Sequence, residues 1–134
     1  MKLTNEKGFT LIELIMVIVI LGILAAVVVP KFFDFTGKAH TANEEAVIGN
    51  IKAALNLYAA DQLVTNGQRK YPHADSIEVN GLSYILDEVP DGWEVQAHSN
   101  KKKTKIVYTD PDPDVVYIYR SPVGNDASKY ELTK

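Results

Sequence analysis

The residue near the start of the chain that is best placed to do chemistry is Glu13, a carboxylate inside an apolar run. Between Phe9 and Val29 only Thr10, Glu13 and Gly22 interrupt the apolar residues. A carboxylate near the middle of a membrane helix costs about 2.5–3.5 kcal/mol, so it needs a use or a partner. An incidental acid near a membrane surface is the alternative interpretation.

The aspartates of the DPDPD stretch, Asp110, Asp112 and Asp114, form a second candidate site. Alternating acids begin a calcium loop of the EF-hand type, which also requires glycine at its sixth position and an acid at its twelfth. This chain has Val115 and Ser121 at those two positions. The EF-hand pattern therefore fails, and the stretch is interpreted as a rigid, solvated turn between strands.

The other polar side chains predict neither catalysis nor metal binding. His40, His73 and His98 are far apart in the sequence and lack the spacing of metal ligands. The chain has no cysteine, which excludes disulfides, thiolate metal sites and thiol nucleophiles. Neither a nucleophile elbow nor a phosphate loop is found. The sequence therefore predicts a protein that is not an enzyme and that uses no cofactor.

Four lysines, Lys101, Lys102, Lys103 and Lys105, form a basic cluster. The cluster is interpreted as a solvated hairpin tip that discourages pairing at a sheet edge. DNA, acidic polysaccharide and the acidic face of a neighbouring subunit are the alternatives. Across the chain 14 basic residues stand against 17 acidic ones. No basic stripe follows a helix, so nucleic acid is not favoured as a partner.

The apolar run that carries Glu13 has the length of a membrane span. A helix over these residues would be roughly 31 Å long at about 1.5 Å per residue, which matches a bilayer core. A signal peptide does not fit, because no small-residue cleavage site follows the run before Pro30. A plain anchor fits the length but gives Glu13 no role. The third alternative is cleavage ahead of the run, between Gly8 and Phe9.

The segment KGFTLIELIMVIVILGILAAVVVPKF, residues 7–32, resembles the N-terminus of the type IV pilin and pseudopilin superfamily. The short polar leader MKLTNEKG ends in Gly8, and Glu13 is fifth after the cut, where the family has its glutamate. Gly22 and Pro30 also match recurrent positions of the family. The resemblance is specific over roughly a quarter of the chain and fades beyond it.

This resemblance implies that a prepilin peptidase cuts between Gly8 and Phe9 and that the amine of Phe9 is methylated. It implies that Glu13 assists assembly by meeting the N-terminal amine of a neighbouring subunit. Two charges that are costly alone are tolerated as a pair in a dry filament core. The resemblance also implies that the stretch from Gly22 to Pro30 can lose helical order during packing, with a static kink at Pro30 as the alternative.

The elements expected beyond the anchor give an α+β fold of the pilin type. One long helix, from about Phe9 to Val64, is predicted to pack its second half on a small antiparallel sheet and to end at Asn66-Gly67. The predicted apolar stripe of that second half consists of Ala39, Asn43, Ala46, Ile51, Ala54, Leu55 and Tyr58. The predicted domains are a leader (1–8), a transmembrane and assembly helix (9–30) and a globular head (31–134).

The strands of the head are predicted from short β-branched and aromatic stretches: WEVQAHS, TKIVYTD and DVVYIYRS. HSNKKKT and DPDPD are the predicted turns between them, and the C-terminal tail is expected to hold a final edge strand. Residues 68–80 are interpreted as a loop with a short strand at Ile77 to Val79. A helical turn is predicted from Leu82 to Asp87, and Trp93 is predicted to be a core anchor.

The sequence predicts a structural subunit of a type IV pilus. Its single-pass precursor would lie in the inner membrane, with the leader held in the cytoplasm by Lys2 and Lys7. An assembly platform with a separate ATPase would then build a cell-surface filament from this chain alone or with other pilins. One alternative is a pseudopilin of a type II secretion system, confined to a periplasmic pseudopilus. A second alternative is a membrane-tethered binding module with a pilin-like anchor.

Overall fold

The computed structural model describes residues 8–123 and 126–134. The chain divides into two compact units, one that ends at Ala39 and one that begins at His40. The elements in chain order are helix α1 (Leu11–Asn66), helix α2 (Ala74–Asn80), a 3-10 turn (Leu82–Tyr84) and strands β1 (Trp93–Gln96), β2 (Lys103–Tyr108), β3 (Val115–Arg120) and β4 (Glu131–Thr133). The predicted α+β fold is confirmed, whereas residues 1–7 of the predicted leader lie outside the described residues.

The end of helix α1 is set by Gly67. This glycine has a φ of 68°, a left-handed conformation that side chains rarely adopt. Its N–H donates to the carbonyl of Leu63 at 3.1 Å, which satisfies one of the last free carbonyls of the helix. The stop predicted at Asn66-Gly67 is therefore confirmed.

The four strands form one antiparallel sheet in the order β1-β2-β3-β4. Trp93 is opposite Tyr108 across β1 and β2, and Tyr108 is opposite Val115 across β2 and β3. Each strand therefore pairs with the next one along the chain. The meander, the two turns and the final edge strand are confirmed, although β1, β2 and β3 are each shorter than the stretch predicted for them.

The core of the second unit lies between the sheet and one stripe of α1. The buried residues of α1 are Val47, Ile48, Ile51, Leu55 and Ala59. Only Ile51 and Leu55 of the predicted stripe are among them, and Ala46 is exposed. The stripe was therefore predicted on a partly wrong face. Steps of four residues from Val47 to Ala59 keep the side chains on one side of a helix, and the first three of those positions carry larger apolar groups than alanine.

Helix α2 corrects the loop and the short strand predicted for residues 68–80. Ala74 and Ile77 are fully buried, one helical turn apart. The N–H of Ala74 donates to the carbonyl of Ser121 at 3.2 Å, so the start of α2 is held by the chain just beyond β3. The helical turn predicted from Leu82 to Asp87 is also shorter in the structure, where the 3-10 turn ends at Tyr84.

Aromatic residues of the sheet complete the core. The ring of Trp93 stacks on that of Tyr108 with centroids 4.8 Å apart. The hydroxyl of Tyr108 accepts a hydrogen bond from Asn43 Nδ2 at 3.1 Å and lies 3.0 Å from His40 Nδ1. Trp93 is buried, which confirms it as a core anchor. The same contacts explain why Asn43 faces the sheet although it is not apolar.

Candidate functional site

The first part of α1 presents its apolar side chains outward. All described residues from Gly8 to Phe35 are exposed. The large apolar side chains of this stretch range from 41% exposed at Ile15 to 92% at Phe9. By length and composition, α1 contains a stretch able to cross a membrane, and none of that stretch is buried. A contiguous apolar surface of this size requires lipid or other protein chains around it.

Glu13 lies in the first turn of this helix, where its carboxylate takes part in a capping box. The backbone N–H of Thr10 donates to Glu13 Oε2 at 2.8 Å, and the Thr10 hydroxyl donates to the same oxygen at 2.7 Å. The N–H of Glu13 lies 3.3 Å from Thr10 Oγ1, which accepts in return. Threonine and glutamate three residues apart satisfy two backbone N–H groups that a helix start otherwise leaves unpaired.

This geometry gives the carboxylate a local structural role that the sequence analysis did not assign. The sequence does contain a signal for this capping role: a threonine is followed three residues later by an acid, ahead of an apolar run. All the hydrogen bonds recorded for the Glu13 carboxylate within the described residues use Oε2. Oε1 is therefore the atom at which a donor from another chain can be received. Because Thr10 follows Phe9, the capping box does not depend on the residues ahead of Phe9.

Gly22 and Pro30 lie within the continuous helix. Pro30 has no N–H, so the carbonyl of Ala26 cannot receive its usual helical hydrogen bond there. No atom lies within 4 Å of the position that a Cβ on Gly22 would occupy, apart from neighbouring backbone. Both residues are exposed. A role in helix flexibility stays a prediction.

A polar cluster in the second unit joins three distant parts of the chain. Glu44 Oε1 accepts a short hydrogen bond from the hydroxyl of Tyr117 and is 2.5 Å from Lys134 Nζ. Burial, aided by the hydrogen bond to Glu44, raises the pKa of Tyr117 to about 12, so its hydroxyl remains a donor. The cluster ties α1 to β3 and to the residue after β4. It was not foreseen because its members are 73 and 90 residues apart in the sequence.

We expect this cluster to make the stability of the second unit depend on acid pH. The hydrogen bond from Lys134, and then that from Tyr117, hold the pKa of Glu44 below its ordinary value of 4.5. The folded state therefore binds the proton less tightly than the unfolded state. The stabilisation is complete above pH 4.5 and is lost as the pH falls below it, through the lower pKa of the folded state.

Glu44→Gln should lower the midpoint of thermal unfolding at neutral pH by a few degrees. The midpoint of this variant should also decrease less on acidification than that of the unchanged chain. Glu45→Gln is the matched control, because Glu45 is the exposed neighbour on the same helix. Circular dichroism of the full chain in detergent, followed through an acid titration, measures both midpoints. Parallel acid profiles for the unchanged chain and Glu44→Gln would contradict the expectation.

Comparison with known proteins places the apolar segment in a defined class. Residues 3–29 match the family described as the prokaryotic N-terminal methylation motif. The chain is 54% identical over 50 residues to the type IV narrow pilus major component PilA5 of Thermus thermophilus, covering 37% of this chain and 43% of that protein. It is 29% identical over 135 residues to the type II secretion system core protein G of Klebsiella pneumoniae, covering 90% and 94%. It is 46% identical over 55 residues to the type IV major pilin protein PilE1 of Neisseria gonorrhoeae, covering 41% and 33%.

The fold and the exposed segment define an α+β protein with a prepilin-type N-terminal helix. The resemblance to the type IV pilin and type II secretion pseudopilin superfamily, predicted from residues 7–32, is confirmed by these matches. The chain spans less than half of the Thermus and Neisseria relatives and nearly all of the Klebsiella one. These relatives are structural pilin and pseudopilin subunits. No solved structure shows a significant match to the chain.

Proposed function

We propose that this chain is the structural subunit of a type IV pilus, assembled from the inner membrane after its leader is cleaved and its new N-terminus is methylated. The observation that carries the proposal is the exposed apolar helix segment, which bears one carboxylate and the N-terminal methylation motif and continues into a folded head. Such a segment is suited to exchanging lipid neighbours for copies of itself.

The first step is cleavage by a prepilin peptidase between Gly8 and Phe9. Gly8 is exposed, and nothing lies within 4 Å of the position that a Cβ on it would occupy. A peptidase can therefore approach the backbone at this bond without meeting a side chain. Cleavage creates a cationic amine on Phe9, which a methyltransferase then modifies. Methylation of an amine keeps its positive charge.

The second step pairs this amine with Glu13 of another copy. Within one helix, residues four positions apart are separated by about 6 Å along the axis, and Glu13 Oε2 is already held by Thr10. A neighbouring chain can bring its Phe9 amine to Oε1 without breaking the capping box. In a water-free filament core the paired charges are tolerated, whereas each alone would be costly.

The third step is the packing of apolar helices against one another. In lipid this packing depends on close contact rather than on the hydrophobic effect, and small residues permit that contact. Gly22, Ala25 and Ala26 supply small residues in the middle of the segment. Loss of helical order between Gly22 and Pro30 would let the segment adapt its length to neighbours. A separate ATPase acting through a membrane platform would supply the energy.

A specific observation favours a second candidate, a pseudopilin of a type II secretion system. The match to the core protein G of Klebsiella pneumoniae runs over 90% of the chain, whereas the match to the Thermus thermophilus pilus component covers 37%. The longer match includes the head, and the lack of cysteine is in keeping with this candidate. Both candidates use the same cleavage and the same helix packing but place the filament on different sides of the outer membrane.

Shearing filaments from cells that make this chain tests the proposal. For a pilus subunit, the chain should be abundant in the sheared fraction, and mass spectrometry should find it beginning at methylated Phe9. Recovery from the periplasm of cells without surface filaments would favour the pseudopilin. A chain that still carries Met1, or that stays solitary in membranes with its processing and export machinery intact, would refute both candidates and leave a tethered binding module.

A further inference from the structure

The two ends of the sheet in the second unit carry opposite charge. The turn between β1 and β2, with the start of β2, holds the four lysines of residues 101–105, here named the basic tip. Lys101 is exposed, and Lys103 and Lys105 are half-buried. Two acids near this end already have partners. Glu131 pairs with Arg120 at 3.4 Å, and Glu78 accepts a hydrogen bond from the N–H of His98 at 3.2 Å.

The opposite end of the sheet collects carboxylates from two loops, here named the acidic end. The turn between β2 and β3 contributes Asp110, Asp112 and Asp114, and the loop before β1 contributes Asp87, Glu88 and Asp91. All six are exposed. Neither loop, residues 87–92 or residues 109–114, contains a basic residue. The charged residues of these two loops are therefore all acidic.

Gly92 brings the two acidic loops together. Its φ is 76°, and a Cβ built on it would lie 2.5 Å from Cγ of Asp110. The Asp110 side chain thus packs where any other residue at position 92 would place its own. The N–H of Thr109 also donates to the carbonyl of Gly92 at 2.8 Å. The carboxylates of both loops therefore lie on one end of the sheet.

The length of β2 separates the basic tip from the acidic end. Lys103 begins this strand and Tyr108 ends it. At about 3.4 Å per residue, the five steps between them span about 17 Å, and the three steps from Lys105 to Tyr108 span about 10 Å. Both distances exceed the screening length of about 8 Å at physiological salt, so charges in water are largely screened across them. The two surfaces of one chain therefore do not neutralise each other.

We propose that the basic tip of one copy docks on the acidic end of the next copy. This inference rests on the proposed function, because a filament is what requires such a contact. An open helical filament is built from head-to-tail contacts, in which each subunit offers two different surfaces that fit each other. Pairing of two basic tips, or of two acidic ends, would bring like charges together. The charges thus favour head-to-tail docking over pairing of like surfaces, and head-to-tail docking is the arrangement from which an open filament can be built.

Because the chain has no cysteine, chemical cross-linking can test the contact cleanly. We would place Lys101→Cys and Asp114→Cys in one full-length chain. A thiol cross-linker that is shorter than the distance between the two ends should then be added to cells. It cannot join the two cysteines of one chain, so the expected product is a ladder of dimers, trimers and longer species. Co-production of the two single variants should give dimers that contain one of each.

Charge reversal provides the second test. Lys101→Glu with Lys103→Glu should lower the yield of filaments roughly tenfold, because acids then face the acidic end. Asp112→Lys with Asp114→Lys should do the same. All four changes in one chain should restore most of the yield. Lys70→Glu is the control for charge alone, because Lys70 is exposed and belongs to neither surface.

The outcomes separate the docking contact from the proposed function. Normal filaments without a ladder, or cross-links to a different protein, would overturn the docking contact and leave the function standing. If the chain with all four changes does not recover its filament yield, the lysines bind another acidic partner, such as nucleic acid. That result would also overturn the docking contact. A cross-linked ladder in the membranes of cells that make no filaments would support the docking contact and refute the proposed function. Neither ladder nor filaments would overturn both.

Discussion

Glu13→Ala should be cleaved normally after Gly8 and should yield almost no filaments. In the proposed filament core, removing one partner of a buried pair leaves the Phe9 amine charged and unpaired, which costs about 3–5 kcal/mol. That cost corresponds to a loss of roughly two to four orders of magnitude in the association constant of each subunit. The mass of the membrane-bound chain reports cleavage, and the amount of chain in the sheared fraction reports assembly.

The capping box requires controls that separate its effect from that of the charge. Glu13→Gln keeps an oxygen that can accept from Thr10 but removes the negative charge. Thr10→Ala removes most of the cap and keeps the charge, and loss of a cap costs about 0.5–2 kcal/mol. Pairing of charges predicts that Glu13→Gln fails to assemble and that Thr10→Ala assembles with reduced yield. Normal filaments from Glu13→Gln would show that Glu13 serves only to start the helix.

The parts of the fold that were predicted correctly have strong local signals. An apolar run followed by an amphipathic stretch predicts α1, and Asn66-Gly67 marks its end through a backbone conformation that glycine adopts readily. Alternating β-branched and aromatic residues predict β2 and β3, and DPDPD excludes a strand between them. In each case the element can be predicted from its own residues, without knowledge of its contacts with the rest of the chain.

Helix α2 was missed because its stability comes from contacts outside its own residues. Seven residues are too few to show a clear helical period, and Ile77 and Val79 favour strands when read alone. In the structure Ile77 is fully buried and the first N–H of the helix bonds to Ser121. The wrong face predicted for α1 has a related cause, since its many alanines permit more than one apolar stripe. The position of the sheet decides between the stripes.

The candidate site also has features that the sequence predicted and features that it did not. The importance of Glu13 and the position of Gly8 could be inferred from the sequence, because a lone acid in an apolar run is conspicuous. The cluster of Glu44, Tyr117 and Lys134 could not, because no local pattern relates residues from three separate elements. The opposite charges of the basic tip and the acidic end were visible as sequence clusters, but only the register of β2 shows that they lie at opposite ends of one sheet.

Leu55→Ala should unfold the second unit far more easily, whereas Leu57→Ala should have little effect on its stability. Both residues are leucines on α1, yet Leu55 is 0% exposed and Leu57 is 73% exposed. Truncating a buried leucine removes its transfer free energy and leaves a cavity, which together cost about 2–5 kcal/mol. For a unit of this size that is a large part of the total free energy of unfolding, so Leu55→Ala should lower the midpoint of thermal unfolding by roughly 10 °C or more.

Thermal unfolding of the two full-length variants in detergent, followed by near-ultraviolet circular dichroism, measures this difference. The signal arises from the packed aromatic residues, among them Trp93, which stacks on Tyr108 in the same core. The exposed apolar segment is identical in both variants, so detergent binding to it cancels in the comparison. Equal midpoints would mean that α1 does not pack on the sheet through the stripe from Val47 to Ala59. A Leu57→Ala chain that unfolds normally but yields few filaments would instead place Leu57 in a contact between subunits.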